Sequence, residues 1–512
     1  MKSKRKSRFY LSKTYFLFKK IASNTLSQIL SKVGTAVISI FLISMLTKYL
    51  PIELYGLYSK IYNYLWIFAF LADLWLYTIA IREITRDRNN SEKIVGNILT
   101  LRCLLGIWIL FLALWIAFVL PWYNSQLALF GIGIVSVFTI VSLINSSLLA
   151  LMQSYMKIEF ALISNILWKL VNVSFIAYII FVLFPKMQAG DFSNSFLYIL
   201  FAGLIWIVLT TLLNYLYARK LARISFQFDK EYIKHIIKIS LPYGIALFLS
   251  VVYFKIDIIL LSILEPTEKA DISIALYSLP MKVVEVLMVI GWFYLNSLLP
   301  TLTNLFKDGN HRRLTEVLDI SFKFLLSFGT IIFIIWSLFR EHTVRIIANE
   351  TYLKPEHLYS SADVFPIVLG VLLFYFISLI FTYTLIASEN QSKLLRINII
   401  VAIFNIIGNI ILIPKYSFVW AGIVTVLSQL LLMWLGYLYT KNIMRFYFDW
   451  MFIIKIFTVG VSTYILWALL LSSASIWLYA DVFVYGGLLF VWYICAVLSF
   501  FKKEILAFRE SK

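Results

Sequence analysis

Fourteen runs of predominantly apolar residues, each about 20 residues or longer, follow one another along the chain with short polar breaks between them. A run of that length, coiled as an α-helix, matches the hydrocarbon thickness of a bilayer. The runs lie near 24–49, 57–80, 96–120, 126–152, 160–184, 195–218, 239–264, 272–300, 319–340, 363–387, 395–414, 419–440, 451–472 and 481–501. Hydrophobic residues make up 62% of the chain and charged residues 14%, against roughly half and a quarter in a soluble domain. The surplus apolar surface must face lipid, where a spanning segment has to satisfy its own backbone. The expected fold class is an all-α integral membrane protein with fourteen transmembrane helices.

The net charge of +19 would point to nucleic acid in a soluble protein. Here the charge follows topology. With the N-terminus in the cytoplasm, thirty of the 45 Lys and Arg fall on the inside. Eight fall in outside loops and helix ends: Lys48, Lys60, Lys186, Lys269, Arg340, Arg345, Lys354 and Lys415. This is the positive-inside pattern, and it predicts cytoplasmic N- and C-termini, with nucleic acid excluded as a partner. The first apolar run is too long for a cleaved signal sequence. The only cysteines, Cys103 and Cys495, exclude a disulfide framework and a Cys-based zinc site. His235, His311, His342 and His357 are read as lying in loops or at helix ends, and no phosphate-cradling glycine loop precedes a helix. No catalytic residue, metal ligand or cofactor is therefore expected, and the chain is not read as an enzyme.

The remaining seven cations lie within the apolar runs: Lys32, Arg102, Lys169, Lys255, Lys282, Lys323 and Lys455. The acids there include Asp73, Asp257 and Glu285. A charge at the bilayer centre costs roughly 2.5–3.5 kcal/mol on insertion scales, so such residues pair or face a polar cavity. Lys323 and Lys455 are near cytoplasmic helix ends and are read as snorkelling. Lys32 continues a stripe with Thr25, Gln28, Thr35 and Ser39 at helical spacing. Similar stripes are Ser136, Thr139, Ser146 and Gln153; Asn165, Lys169 and Asn172; Ser278, Lys282, Glu285 and Asn296; and Asn398, Asn405 and Asn409. They fit either a water- or substrate-filled interior or helix packing through small polar side chains. Lys255 and Asp257 are about 200° apart on a helix, so Lys255 is expected to approach an acid on a neighbouring helix. Lys282 and Glu285 share a face and are expected to pair. The inside segment 219–238 reads equally as a basic interfacial helix on anionic lipid or as a plain linker.

Three stretches carry a family resemblance: residues 26–59, with a Tyr-Gly turn; residues 71–87, with Asp73, Leu74, Arg82 and Glu83; and residues 405–429, with an Ile-Pro-x-Tyr segment. Together they resemble the oligosaccharide flippases (Wzx-type polysaccharide export proteins) of the MATE-like superfamily. Trp75, Ser417 and Trp420 stand where that pattern usually has glycine. The resemblance implies a basic cytoplasmic tail (1–23), an N-lobe of six helices (24–218) and a cytoplasmic linker (219–238). A C-lobe of six helices (239–440), two further helices (451–501) and a cytoplasmic tail (502–512) complete it. It further implies two lobes rocking about a central cavity. A polyprenyl-diphosphate head is anionic, and cationic side chains suit it. Lys32, Arg102, Lys169, Lys255 and Lys282 are the candidate cargo-binding residues; Asp73, Asp257 and Glu285 are candidates for coupling or pairing. Expected partners are the lipid-linked oligosaccharide, membrane lipids and glycan polymerases or glycosyltransferases, with the chain a monomer in the cell (inner or cytoplasmic) membrane. The competing readings are a small-molecule exporter of the same superfamily, whose cavity should be acidic or aromatic, and a membrane glycosyltransferase or polymerase, which needs a larger outside domain. Five buried cations against three acids favour anionic cargo.

Reporter fusions check the topology. Those after residues 90, 230, 310 and 445 are expected to report cytoplasm, and those near 122, 190, 268 and 350 the outside. A reversed signal at one interior site breaks the helix count.

Overall fold

A computed structural model describes residues 34–73, 76–157, 159–184, 192–252, 254–353, 359–441, 443, 448–473 and 480–500. Among them there is no strand. The helices are α1 (Gly34–Tyr49), α2 (Ile52–Asp73), α3 (Leu76–Arg86), α4 (Ser91–Val119), α5 (Gln126–Ser154), α6 (Glu159–Tyr178) and α7 (Phe192–Ala218). They continue as α8 (Lys230–Val252), α9 (Ile256–Leu264), α10 (Thr267–Lys307), α11 (His311–Leu338), α12 (Arg340–Ile347), α13 (Ser361–Ala387), α14 (Gln391–Thr440), α15 (Trp450–Ser473) and α16 (Ala480–Phe500). Ten helical stretches among the described residues are long and apolar enough to cross a membrane. The protein is a multi-pass, all-helical membrane protein.

Local chemistry sets the helix ends. Ser360 and Asp363 form a reciprocal capping box at the start of α13. After α10, Gly309 takes a φ of +65° and the Asn310 side chain accepts from the Arg313 N–H to open α11. At 41 residues, α10 is about 60 Å long, twice the hydrocarbon thickness, and extends well past the 272–300 run at both ends.

Two segments break where the apolar pattern is continuous. The seventh run is divided into α8 and α9, with Lys255 at the break. Its first part starts earlier than the run, so that His235 lies inside a helix rather than in a loop. Within α14, Ser417 has φ 61° and ψ −155°. Asn405 Nδ2 nevertheless lies 3.2 Å from Ser428 Oγ, although a straight helix would hold residues so spaced about 35 Å apart. The two arms of α14 therefore fold back on each other, as the separate runs 395–414 and 419–440 require.

The chain forms two compact units. One runs to Leu54 and resumes over Lys60–Phe248; the other holds Tyr55–Ser59 and Leu249 onward. In the first, α3, α4, α5 and the start of α8 share a core of Ile84, Ile98, Leu151, Ile233 and Ile236. In the second, α11, α15 and α16 share Ile331, Val459, Trp467 and Leu489. Gly56 of the Tyr-Gly turn is in the second unit too, where a Cβ would sit 1.7 Å from the Asp271 carbonyl oxygen. No side chain fits there.

The backbone at Ser417 explains the glycine usual at that position. Its φ/ψ pair lies in a region essentially reserved for glycine and costs a side-chain-bearing residue of order 1–3 kcal/mol. The Ser417 hydroxyl compensates by donating to the Glu265 carboxylate, and Ser273 Oγ lies 3.4 Å away. Ser417→Ala and Ser417→Gly both delete the hydroxyl and differ only in backbone freedom. The glycine variant is expected to be more stable than the alanine variant by about 1–3 kcal/mol in thermal unfolding of the detergent-solubilised protein. Equal stability refutes the strain.

Candidate functional site

In the second unit, three charged side chains meet. Lys282 and Glu285 are one turn apart on α10, and Lys282 Nζ lies 2.9 Å from Glu285 Oε2. Lys255, presented by the break between α8 and α9, places its Nζ 2.5 Å from Glu285 Oε1. The acid that Lys255 was expected to approach is thus Glu285. Two ammonium groups share one carboxylate, leaving one net positive charge. The three side chains are 15–31% exposed, so the cluster keeps a face open to a ligand. Six ammonium N–H donors against one carboxylate leave unused capacity for phosphate-type oxygens.

Deeper in the same unit, Asp257 is fully buried and ringed by neutral donors. The Tyr277 hydroxyl donates to Oδ2 at 2.7 Å, the Thr425 hydroxyl to Oδ2 at 2.5 Å, and Asn409 Nδ2 to Oδ1 at 2.9 Å. Asn409 Nδ2 also donates to Asn405 Oδ1 at 3.1 Å, while Asn409 Oδ1 is buried without a donor. The polar stripe of the eleventh run was legible because asparagines are conspicuous among Ile and Val. Tyr277, on α10, and Thr425, on the second arm of α14, carried no signal of their own.

The first unit treats its cations differently. Arg102 is 0% exposed, and its guanidinium donates to Asp73 Oδ1 at 2.5 Å, Ser147 Oγ at 2.6 Å and the Leu143 carbonyl at 3.3 Å. The guanidinium has no exposed surface in this structure, and its Nε is buried without an acceptor. Lys169 Nζ donates to Ser39 Oγ at 2.5 Å and lies 5.9 Å from the Trp206 ring centroid, so the stripes of the first and fifth runs meet. Lys32 lies outside the described residues. Lys60, assigned by sequence to an outside helix end, is buried in α2 with its ammonium 5.2 Å from the Tyr123 ring centroid. Lys323 pairs with Asp319 at 2.9 Å and Asp449 at 3.1 Å, which is firmer anchorage than snorkelling. Many Ser and Thr of the stripes bond their own helix, as Thr139 does to the Val135 carbonyl, and serve packing.

The family model described as polysaccharide biosynthesis protein matches residues 21–306, more than half of the chain. The chain belongs to this family. A second model, MatE, matches residues 242–411 of this polysaccharide biosynthesis protein. No curated protein matches it in sequence. Among solved structures it is similar to the lipid II flippase MurJ in an inward closed conformation. That match has a TM-score of 0.73 at 12% identity, covering 94% of this chain and 100% of that one. It is also similar to an inward-facing multidrug resistance MATE family transporter of the MOP superfamily, with a TM-score of 0.59 at 12% identity, over 80% of this chain and 98% of that one. A MOP superfamily transporter from Pyrococcus furiosus matches with a TM-score of 0.53 at 14% identity, over 83% and 96%. The family member therefore shares the fold of these solved structures, whose own descriptions are those of a flippase and transporters.

Breaking a buried ion pair from one side costs about 3–5 kcal/mol, while replacing both partners with apolar residues is far milder. Asp73→Ala is thus expected to destabilise the solubilised protein strongly, and Asp73→Leu with Arg102→Leu to recover most of the loss. A double variant as unstable as Asp73→Ala overturns this assignment of Arg102 to structure.

Proposed function

We propose that this protein moves a polyprenyl-diphosphate-linked oligosaccharide from the cytoplasmic to the outer leaflet of the cell membrane by alternating access, for surface polysaccharide or glycan assembly. The observation that carries the reading is the Lys255–Glu285–Lys282 cluster, which keeps a net positive charge and an open face inside an apolar unit. A diphosphate supplies the acceptor oxygens that such a cluster lacks. The polysaccharide biosynthesis family and the fold shared with a lipid II flippase agree with it. In this reading Lys32 and Lys169 also serve the cargo, fourteen crossings leave both termini in the cytoplasm, and the chain works as a monomer alongside glycan polymerases or glycosyltransferases. Asp257, a buried acid among neutral donors, takes up a proton or small cation during the cycle in the same reading.

The MatE match over 242–411 favours a second reading, export of a small molecule. Cargo distinguishes the two. Proteoliposomes that flip a fluorescent lipid-linked oligosaccharide and leave lipophilic cations untransported support the proposal; the opposite result replaces it.

Within the cluster, a cycle of Lys282→Ala, Glu285→Ala and the double variant separates pairing from cargo binding. Lys282→Ala is expected to lower reconstituted flipping the most, with at most partial recovery in the double variant: Glu285 stays paired with Lys255 in the single variant, and the double variant frees Lys255 as a donor without restoring Lys282. Full recovery would show that Lys282 serves structure alone.

A further inference from the structure

The connection between α7 and α8 is not an interfacial helix. Residues 223–229 form neither helix nor strand, and the apolar side of the following helix, Ile233 and Ile236, is buried in the core of the first unit. This strap is fastened to the first two turns of α4. Ser225 Oγ donates to Glu92 at 3.3 Å, Asn97 Oδ1 accepts from the Asp229 N–H at 2.6 Å, and Lys93 Nζ lies 2.7 Å from Asp229 Oδ2. Lys93 holds the Asp229 carboxyl below the usual carboxylate range, so this ion pair is intact at neutral pH and is lost only as acid protonates Asp229. Gly96 makes room: a Cβ there would sit 2.5 Å from the Ser225 carbonyl oxygen. Exposure alternates along the strap: Ser225, Gln227 and Asp229 are half-buried, while Phe226 and Phe228 between them are 69% and 67% exposed.

The depth of the strap follows from α4. From Ile98 to Val119 that helix is apolar apart from Thr100, whose hydroxyl bonds its own helix, and the paired Arg102, a length of about 33 Å that matches the hydrocarbon core. Gly96 and Asn97 immediately precede that stretch, so the strap crosses α4 at the level of the headgroups. Exposed cations flank the two phenylalanines in sequence, Arg219, Lys220, Arg223, Lys230, Lys234 and Lys238, with Glu231 the exposed acid among them. Aromatic side chains beside a basic cluster at that depth fit an anionic lipid surface.

We infer that the 223–229 strap is a membrane-surface anchor, with Phe226 and Phe228 inserted between anionic phospholipid headgroups and the flanking Lys and Arg resting on them. This does not rest on the transport reading. The test uses the full chain carrying Cys103→Ser and Cys495→Ser, with Phe226→Cys or Phe228→Cys labelled by an environment-sensitive fluorophore. Both positions are exposed, so the replacements leave the packing intact. Protein in nanodiscs of phosphatidylglycerol and phosphatidylcholine is compared with protein in phosphatidylcholine alone, using headgroup-level spin-labelled lipid and aqueous iodide as quenchers. Lipid quenching about twofold or more stronger in the anionic discs is expected, with iodide excluded, and Lys230→Gln with Lys234→Gln should reduce the difference. Labels that remain open to iodide in both discs overturn the anchor, as they would if the surface were kept for a protein partner. Equal lipid quenching in the two discs overturns its anionic character.

Discussion

A full charge buried in a helical membrane protein is tolerated only where another group answers it, and the interior of this protein is arranged around that requirement. Arg102 is answered by Asp73 and two further acceptors, and Lys323 by two aspartates. Asp257 is answered by neutral donors alone. The Lys255–Glu285–Lys282 cluster is answered in part, with two cations on one acid and a surface left open. The first two charges are paired within the protein, although Arg102 Nε is buried without an acceptor. The last is incomplete by one charge, which is why it is the place to seek an anionic cargo.

How far the sequence foretold this depended on the range of each interaction. The apolar runs, the Lys282–Glu285 pair and the asparagine stripe of α14 depend on neighbours within a turn or two, and they were legible. The partner of Lys255 was anticipated only as an acid elsewhere, because its identity depends on how α9 and α10 pack. The pairing of Arg102 was not anticipated because its partner Asp73 lies on another helix, 29 residues away. Lys60 looked peripheral because α2 begins at Ile52, several residues before the apolar run near 57. The sequence leaves the linker open between an interfacial helix and a plain connection. Ile233 and Ile236 face the protein core, and the outward aromatics, Phe226 and Phe228, precede that helix.

Departures from the family pattern read the same way once the backbone is known. Ser417 replaces a glycine whose freedom the turn between the arms of α14 uses, and a hydroxyl bonded to Glu265 compensates. Trp420 replaces a glycine in ordinary helix, where the larger side chain instead lies against Tyr416 with ring centroids 4.8 Å apart. The two substitutions look alike in sequence and differ entirely in what the fold asks of them.

The donors around Asp257 also set an order of events during synthesis. Arg102 follows Asp73 by one helix, so that pair can close as soon as two neighbouring helices are in the bilayer. Asp257 meets Tyr277 after 20 residues, but Asn409 and Thr425 are 152 and 168 residues further along the chain. At translation rates of roughly 5–20 residues per second, the acid waits on the order of 10–30 s with its shell unfinished. The second unit is therefore assembled around a charge site that only its last core helices complete, and a chain truncated before Thr425 reaches the membrane with that site unsealed.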